Sequence, residues 1–147
     1  MIKTYMILSC VVLFMGCTGA RPVRLGVIDG KFIPCPASPN CVCSQYPDQT
    51  HTIEPLSYQG SAQEAAYRLL AVLQGMKRAK VVTQQERYFH VEFTSAFFRF
   101  VDDAEFCIDD VQKLIYVRSA ARLGYSDFGV NRKRMEIIRR LFNNTVS

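Results

Sequence analysis

Two stretches of alternating side chains in the second half of the sequence restrict the fold more than any other feature. Residues 98–109 and 114–121 are typical of β-strands, and only a short turn separates them. If Asp109 faces Leu114 across that turn, one face of the strand pair becomes apolar and the other becomes charged. A shift of one residue would move charges into the core, and the pattern therefore predicts this register.

The predicted register assigns each side chain of the two strands to a face. The apolar face contains Phe98, Phe100, Ala104, Phe106, Ile108, Ile115, Val117, Ser119 and Ala121. The other face, here called the second face, contains Arg99, Val101, Asp103, Glu105, Cys107, Leu114, Tyr116, Arg118, Ala120 and Arg122. On that face Glu105 is directly opposite Arg118. Asp102 falls on the apolar face, where a buried carboxylate needs donors from arginine side chains or backbone amides of the following segment.

Two further strands and two helices complete the expected secondary structure. Strand character is found at residues 80–85 and 88–95, which extend the pair into an antiparallel meander. Ser61 and Glu64 form a capping box that opens an apolar helix, and Asn131 is the expected N-cap of a last helix at residues 132–143. We expect an α+β fold, in which an antiparallel sheet of about four strands carries two helices on one face. The fold also includes a disulfide-pinned N-terminal segment, the proline- and cysteine-containing residues 32–55.

The N-terminus is typical of a bacterial lipoprotein signal. Lys3 precedes an uncharged apolar run that is too short to span a bilayer comfortably, and Gly16-Cys17 at its end resembles a lipobox. Phe14 and Met15 are bulkier than the residues usual before that motif, and an ordinary secreted protein or an uncleaved helix is the alternative. We expect cleavage before Cys17 and attachment of lipid, including palmitate, to that cysteine.

This signal determines the expected organisation and location. Residues 1–16 are the signal peptide, residues 17–31 the lipid anchor and linker, and residues 32–147 a single globular domain. We expect a protein of the bacterial cell envelope that is lipid-anchored to a membrane and faces the periplasm, with Thr18 favouring the outer membrane if the source is Gram-negative. The formal net charge of +5 suits anionic lipid or an acidic ligand, but it is also ordinary for an envelope protein. Nucleic acid is not an expected partner after export.

Four cysteines remain once Cys10 and Cys17 are assigned to the signal and the anchor. They are Cys35, Cys41, Cys43 and Cys107. An even number of cysteines in an oxidising compartment predicts disulfides, with three possible connectivities. A zinc site is the less favoured alternative, because a single residue separates Cys41 from Cys43. Neither a metal nor a cofactor is therefore predicted.

An arginine-rich loop and the start of the last helix form the leading candidate for a binding site. Its residues are Arg118, Arg122, Tyr125, Asp127, Asn131, Arg132 and Arg134. Planar guanidinium donors beside a helix N-terminus suit a carboxylate or phosphate group. The alternative is that Asp102, Asp103 and Asp127 accept these arginines internally. We expect a non-enzymatic envelope lipoprotein that binds an anionic ligand, a lipid head group or a protein partner.

A second cluster of charges supports a rival interpretation, an enzyme. Its members are Arg99, Asp102, Asp103 and Glu105. The carboxylates could carry out acid–base chemistry, or hold a divalent cation, in a cleft against Arg118. More simply, Arg99, Arg118 and Arg122 neutralise them as a salt-bridge network. His51 and His90 lack the pattern of a nucleophile and its base. A purely structural envelope component is the third possibility.

Three motifs together carry a family resemblance. CPASPNCV, FRFVDDAEF and VRSAARLGYSDFGVNRKR, in that order, resemble the uncharacterised family called domain of unknown function 1499, over about residues 32–140. The common cysteine pair of that family corresponds to Cys35 and Cys41. The resemblance leaves Cys43 and Cys107 as a second pair, which we expect to be bonded. Cys43 stands where the family more usually has Ser. No particular activity is implied.

Overall fold

Eight strands and two helices are formed by residues 19–145, the part of the chain that this computed structural model describes. In chain order they are β1 (Val27–Ile28), β2 (Lys31–Phe32), β3 (Cys41–Cys43), β4 (Leu56–Ser57), α1 (Ala62–Gly75), β5 (Ala79–Gln84), β6 (Tyr88–Thr94), β7 (Val101–Asp109), β8 (Leu114–Ala121) and α2 (Val130–Asn144). The expected signal peptide at residues 1–16 and the lipidation site Cys17 lie outside the described residues. Neither helix in the described part is long and apolar enough to cross a bilayer.

Six of the strands form one antiparallel sheet, in the order β3-β8-β7-β6-β5, with β4 also paired to β8. The α+β class is confirmed, but the expected count of about four strands is wrong. The additional strands, β3 and β4, come from residues 41–57, where prolines and cysteines interrupt the sequence. Both strands lie along the outer edge of β8. Edge positions tolerate neighbouring prolines, and strands of two or three residues are too short to produce a visible alternation. Strands β1 and β2 form a separate hairpin.

The register predicted for the last two strands is confirmed. Asp109 pairs with Leu114 and Glu105 pairs with Arg118. As a result, the apolar side chains of β6, β7 and β8 share one face, which both helices cover to form a single core. The fully buried members include Phe106 from β7 and Val117 from β8. The prediction that both helices pack on one face of the sheet is therefore correct.

Helix α1 begins with the predicted capping box. The backbone N–H of Glu64 donates to Oγ of Ser61 at 3.2 Å, and the Glu64 carboxylate accepts the backbone N–H of Ser61 at 2.9 Å. Each contact satisfies a backbone donor that the first turn would leave without a partner. The cap orients the helix so that Leu69 and Leu73 are fully buried against the sheet.

Strand β7 begins later than the sequence pattern predicts. The alternation extends back to residue 98, but Phe98 and Phe100 are 72% and 43% exposed and do not belong to the core. The last pair between β7 and β8 joins Asp102 to Ala121, and the sheet ends there. Arg99 adopts a left-handed backbone conformation with φ of 58°, which interrupts the extended chain. The phenylalanines therefore lie in a loop, because no neighbouring strand remains to pair with them.

Helix α2 begins at Val130, two residues earlier than predicted, and Asn131 is not its N-cap. Gly129 occupies that position with φ of 75°, a conformation that glycine adopts without steric cost. The carboxylate of Asp127 accepts the backbone N–H groups of Gly129 and Asn131 at 2.9 and 2.8 Å. Asp127 thus supplies the negative charge that favours a helix N-terminus, although the first turn itself is basic.

The four cysteines within residues 19–145 form one disulfide. The Cys35–Cys41 bond is confirmed, whereas Cys43 and Cys107 are free thiols and the prediction that they are bonded is wrong. Cys43 on β3 pairs with Arg118 on β8, and β8 separates it from Cys107 on β7. Two strand spacings amount to about 10 Å. That separation exceeds the roughly 7 Å between Cα atoms that a disulfide can bridge.

Thiol mapping tests this assignment. We expect iodoacetamide to label Cys43 and Cys107 in the denatured, unreduced protein, because both are free thiols. Peptide mass spectrometry of the same sample should recover Cys35 and Cys41 joined to each other. Recovery of a peptide that joins Cys43 to Cys107 would contradict the sheet order.

Candidate functional site

The second face of the sheet carries buried charges rather than a solvated surface. Asp103 and Glu105 are 1% and 0% exposed, and the guanidinium groups of Arg118 and Arg122 are almost as deeply buried. Residues 19–33, here called the N-terminal segment, cover this face. A carboxylate removed from water is tolerated only when hydrogen-bond donors or cations replace its hydration. The N-terminal segment supplies some of these donors.

Glu105 is the centre of this layer. Its Oε2 accepts a hydrogen bond from Nη1 of Arg118 at 3.2 Å, and its Oε1 accepts from the Tyr88 hydroxyl at 2.8 Å. The backbone N–H of Gly26 donates to the same Oε1 at 2.6 Å. Arg118 in turn donates through Nε to the carbonyl of Ile33 at 3.0 Å. Burial and the adjacent Glu105 charge raise the pKa of Tyr88, which keeps its hydroxyl protonated as a donor.

Asp103 forms the second centre, beside Glu105 on the same strand. Arg122 donates to both of its oxygens, through Nε and Nη2, at 2.7 Å each. Nε2 of His90 lies 2.7 Å from Oδ1. Burial alone would raise the pKa of Asp103, but hydrogen bonds from Arg122 and His90 outweigh it and hold the pKa below its usual range. The same contact with Asp103 raises the pKa of Arg122, so the pair is fully ionised.

Glu92 connects this network to the N-terminal segment. Its Oε1 accepts from Nη2 of Arg122 at 2.5 Å and from Nη2 of Arg21 at 2.6 Å. Burial opposes ionisation of Glu92, but the hydrogen bonds from the two arginines prevail and lower its pKa. Arg21 belongs to the segment that was expected to be a linker. Arg21 and Gly26, which both belong to that segment, contact side chains of the sheet directly, and Ile33 just beyond it accepts a hydrogen bond from Arg118.

A separate charge pair lies on the face that the helices cover. Asp102 accepts a hydrogen bond from Nη2 of Arg134 at 2.6 Å, which is the kind of donor that its predicted position required. Arg134 also lies over the ring of Phe93, 4.6 Å from its centroid. Burial raises the pKa of Asp102, and the nearby Arg134 charge only partly offsets that effect. The fully buried Asn131 contacts Ser119, Asp127 and Arg134, which joins helix α2 to the sheet.

The structure does not bring the predicted anion-binding residues together around one cavity. Arg118 and Arg122 lie beneath the N-terminal segment, whereas Asp127, Asn131 and Arg134 lie on the opposite side of the sheet. Arg132 donates to the backbone carbonyls of Thr50 and Thr52, and Tyr125 is exposed. Arg99, which was expected to neutralise the carboxylates, is exposed in the loop before β7. Of the five arginines in the two predicted clusters, all but Arg99 are therefore occupied by groups of the protein itself.

A cleft of about 440 Å³ runs between the N-terminal segment and strands β5 and β6. Arg21, Gly26, Thr83, Tyr88 and His90 are among the residues that line it. The carboxylates proposed for the enzyme interpretation are not among them. Within residues 19–145, no cluster of three or more His, Cys, Asp or Glu side chains is arranged to hold a metal ion.

Four members of the network were not predicted from the sequence, namely Arg21, Tyr88, His90 and Glu92. For the last three, a signal was present: they alternate with Phe89, Val91 and Phe93, so they had to share the face opposite the core. Pairing β6 with β7 places His90 opposite Glu105 and Glu92 opposite Asp103. No comparable signal exists for Arg21, because the surrounding residues have no periodicity.

The family described as "Protein of unknown function (DUF1499)" matches residues 31–142, and the chain therefore belongs to that family. No curated protein matches the sequence. The matched range contains every strand of the six-stranded sheet and nearly all of helix α2. Arg21 and Gly26, which donate to Glu92 and Glu105, lie outside it.

Two arginine substitutions distinguish a structural network from a free binding surface. We expect Arg118→Gln to lower the free energy of unfolding by about 3–5 kcal/mol, because it leaves Glu105 buried with no cation beside it. Arg99→Gln is the matched control and should change stability by no more than about 0.5 kcal/mol, since Arg99 is exposed. Urea denaturation followed by circular dichroism measures both. An equally small effect at the two positions would show that Arg118 does not support the fold.

Proposed function

We propose that this member of the DUF1499 family is an envelope lipoprotein, anchored through lipid on Cys17, whose domain binds at a membrane surface and does not catalyse a reaction. The observation that carries the proposal is the attachment of the N-terminal segment to the sheet through Arg21 and Gly26. This attachment gives the buried charges a structural role. It also supports a position for a lipid on Cys17 close to the domain.

The buried carboxylates support a non-catalytic role. A general acid or base must come within hydrogen-bond reach of a substrate. Asp103 and Glu105 are buried, accept hydrogen bonds from arginines, and do not line the cleft beneath the N-terminal segment. Asp102 is paired with Arg134 on the other face. The enzyme interpretation would therefore require the network to open before any of these groups could act.

The position of Gly19 supports anchorage close to the domain. A Cβ placed on Gly19 would lie 3.0 Å from Cβ of Arg122 and from Cγ of Leu123, which means that the backbone there lies directly on the end of β8. Two residues span at most about 7 Å, so Cys17 is never farther than that from Gly19. A lipid on Cys17 would hold the domain against the membrane with almost no tether.

A lipid head group is the anionic partner that the charge distribution favours. Arg118, Arg122 and Arg134 are occupied internally and are poorly placed to bind a soluble anion. Lys77 and Arg99 are exposed, and neither forms an ion pair with another described residue. Basic side chains near an anionic membrane surface are attracted to it. In a Gram-negative source, Thr18 favours the outer membrane as the destination.

Replacement of the lipidated cysteine tests the anchorage. We expect the full-length wild-type protein to be recovered from membranes with diacylglycerol and palmitate on Cys17, detected by mass spectrometry of the mature N-terminus. Cys17→Ser should abolish lipid attachment and mature processing. Cys10→Ser is the matched control, because it changes a cysteine within the signal and should leave processing unaltered.

Two results would contradict the proposal. The first is a mature N-terminus at another residue, with Cys17 absent or unmodified. The second is recovery of the wild-type protein in the soluble fraction when cells are fractionated without detergent.

A further inference from the structure

The exposed apolar side chains are concentrated at one end of the sheet. Seven of the thirteen large apolar residues that are exposed among residues 19–145 belong to two loops and the first residue of α2. They are Phe97, Phe98, Phe100, Leu123, Tyr125, Phe128 and Val130. We call this surface the aromatic end. Contiguous exposed apolar side chains mark sites of contact with a membrane or another protein.

The two loops are neighbours because of the sheet topology. Residues 95–100 lead into β7, residues 122–129 leave β8, and antiparallel β7 begins where β8 ends. The backbone N–H of Arg122 donates to the carbonyl of Val101 at 3.1 Å, which holds the bases of the loops together. Each loop also keeps one non-glycine residue, Arg99 or Phe128, in the left-handed conformation. That conformation costs energy for a residue other than glycine, so the surrounding contacts must hold each loop in its shape.

The chain's attachment point emerges at this same end. Gly19 lies against Leu123, a member of the aromatic end. Because Cys17 is within about 7 Å of Gly19, a lipid on that cysteine would enter the bilayer beside the aromatic loops. An anchor at this position brings the aromatic side chains to the membrane surface without any rearrangement of the domain.

The charges at the two ends of the sheet differ in a way that matches an anionic surface. Lys77, Arg78 and Arg99 lie at the aromatic end and are exposed. Asp127 is the one carboxylate in the loops at residues 76–78, 95–100 and 122–129, and it accepts hydrogen bonds from helix α2. The turns at the opposite end, residues 85–87 and 110–113, carry two acidic and two basic side chains, which balance, and a single exposed apolar side chain, Val111.

We propose that the aromatic end is the surface on which the lipid-anchored domain rests on the bilayer, with its phenylalanine and tyrosine side chains at the level of the lipid head groups. The inference rests on the proposed anchorage through Cys17. Aromatic side chains favour that interfacial region, and basic side chains beside them contact anionic head groups. A protein partner fits less well, because it would have to enter the narrow gap between the anchored end and the membrane.

This orientation turns the opposite end of the sheet away from the membrane. A cleft of about 550 Å³ lies there and is lined by residues that include Tyr58, Arg68, Lys113 and Phe142. Docking through the aromatic end therefore leaves that cleft open to the surrounding solution.

Single tryptophan probes test the orientation, because the chain has no tryptophan of its own. Phe98→Trp and Phe128→Trp place one indole in each loop, and Val111→Trp is the matched control at the opposite end. All three positions are exposed, at 72%, 88% and 93%, so the fold should tolerate the change. Each full-length lipidated variant is reconstituted in vesicles of phosphatidylethanolamine and phosphatidylglycerol, with or without brominated phosphatidylcholine.

The expected result is that brominated lipid removes most of the emission of the Phe98→Trp and Phe128→Trp variants. Their emission should also shift to shorter wavelength, while the Val111→Trp variant is unaffected. Flotation of the vesicles is measured on the same samples. If the protein floats but the indoles at 98 and 128 remain unquenched, the proposed docking is wrong and the proposed anchor stands. Protein that fails to float overturns the anchor, and the docking with it.

Discussion

Glu105 lies in the middle of the sheet with none of its surface exposed, and a carboxylate in that position must be supplied with a cation and donors. Arg118 provides the cation from the neighbouring strand. The remaining donors come from Tyr88 on β6 and from the backbone of Gly26, which belongs to a part of the chain far from the sheet in sequence. The need to satisfy this carboxylate links the sheet to the N-terminal segment.

The two faces of the sheet are consequently covered in different ways. The helices bury an apolar face, where close packing is the stabilising term. The N-terminal segment covers a charged face, where individual hydrogen bonds determine its position. A segment held in this way has a defined path, and its first described residue, Gly19, lies against Leu123. The position proposed for a lipid on Cys17, and hence the orientation proposed for the domain, rests on the contacts of Glu92 and Glu105 with this segment.

The parts of the structure in which side chains alternate strictly could be predicted from the sequence. The register of β7 with β8, including Glu105 opposite Arg118, follows from the alternation of apolar and charged side chains along both strands. A shift of the register by one residue would move the charges into the core. The predicted strand began too early, at Phe98, because a pattern of side chains does not reveal where the neighbouring strand ends. The short edge strands have no repeat of their own and were missed for that reason.

The site was predictable only in part for a related reason. The requirement of Asp102 for an arginine from the following segment was visible in the sequence, and Arg134 meets it. Contacts from Arg21 to Glu92 and from Gly26 to Glu105 join residues more than 70 positions apart. Neither is accompanied by any local pattern. The expected bond between Cys43 and Cys107 failed because β8 lies between them, an arrangement that only the sheet order reveals.

Hydrogen–deuterium exchange of the full-length protein in detergent tests most directly whether the N-terminal segment is held on the charged face. The amide of Gly26 donates to Glu105, and the hairpin at residues 27–32 follows it. We predict that the amides of Gly26 and Phe32, which donate to Glu105 and Gln45, exchange much more slowly than those of an unstructured peptide of the same sequence. Exchange of these amides at the unstructured rate, while β7 remains protected, would contradict the account.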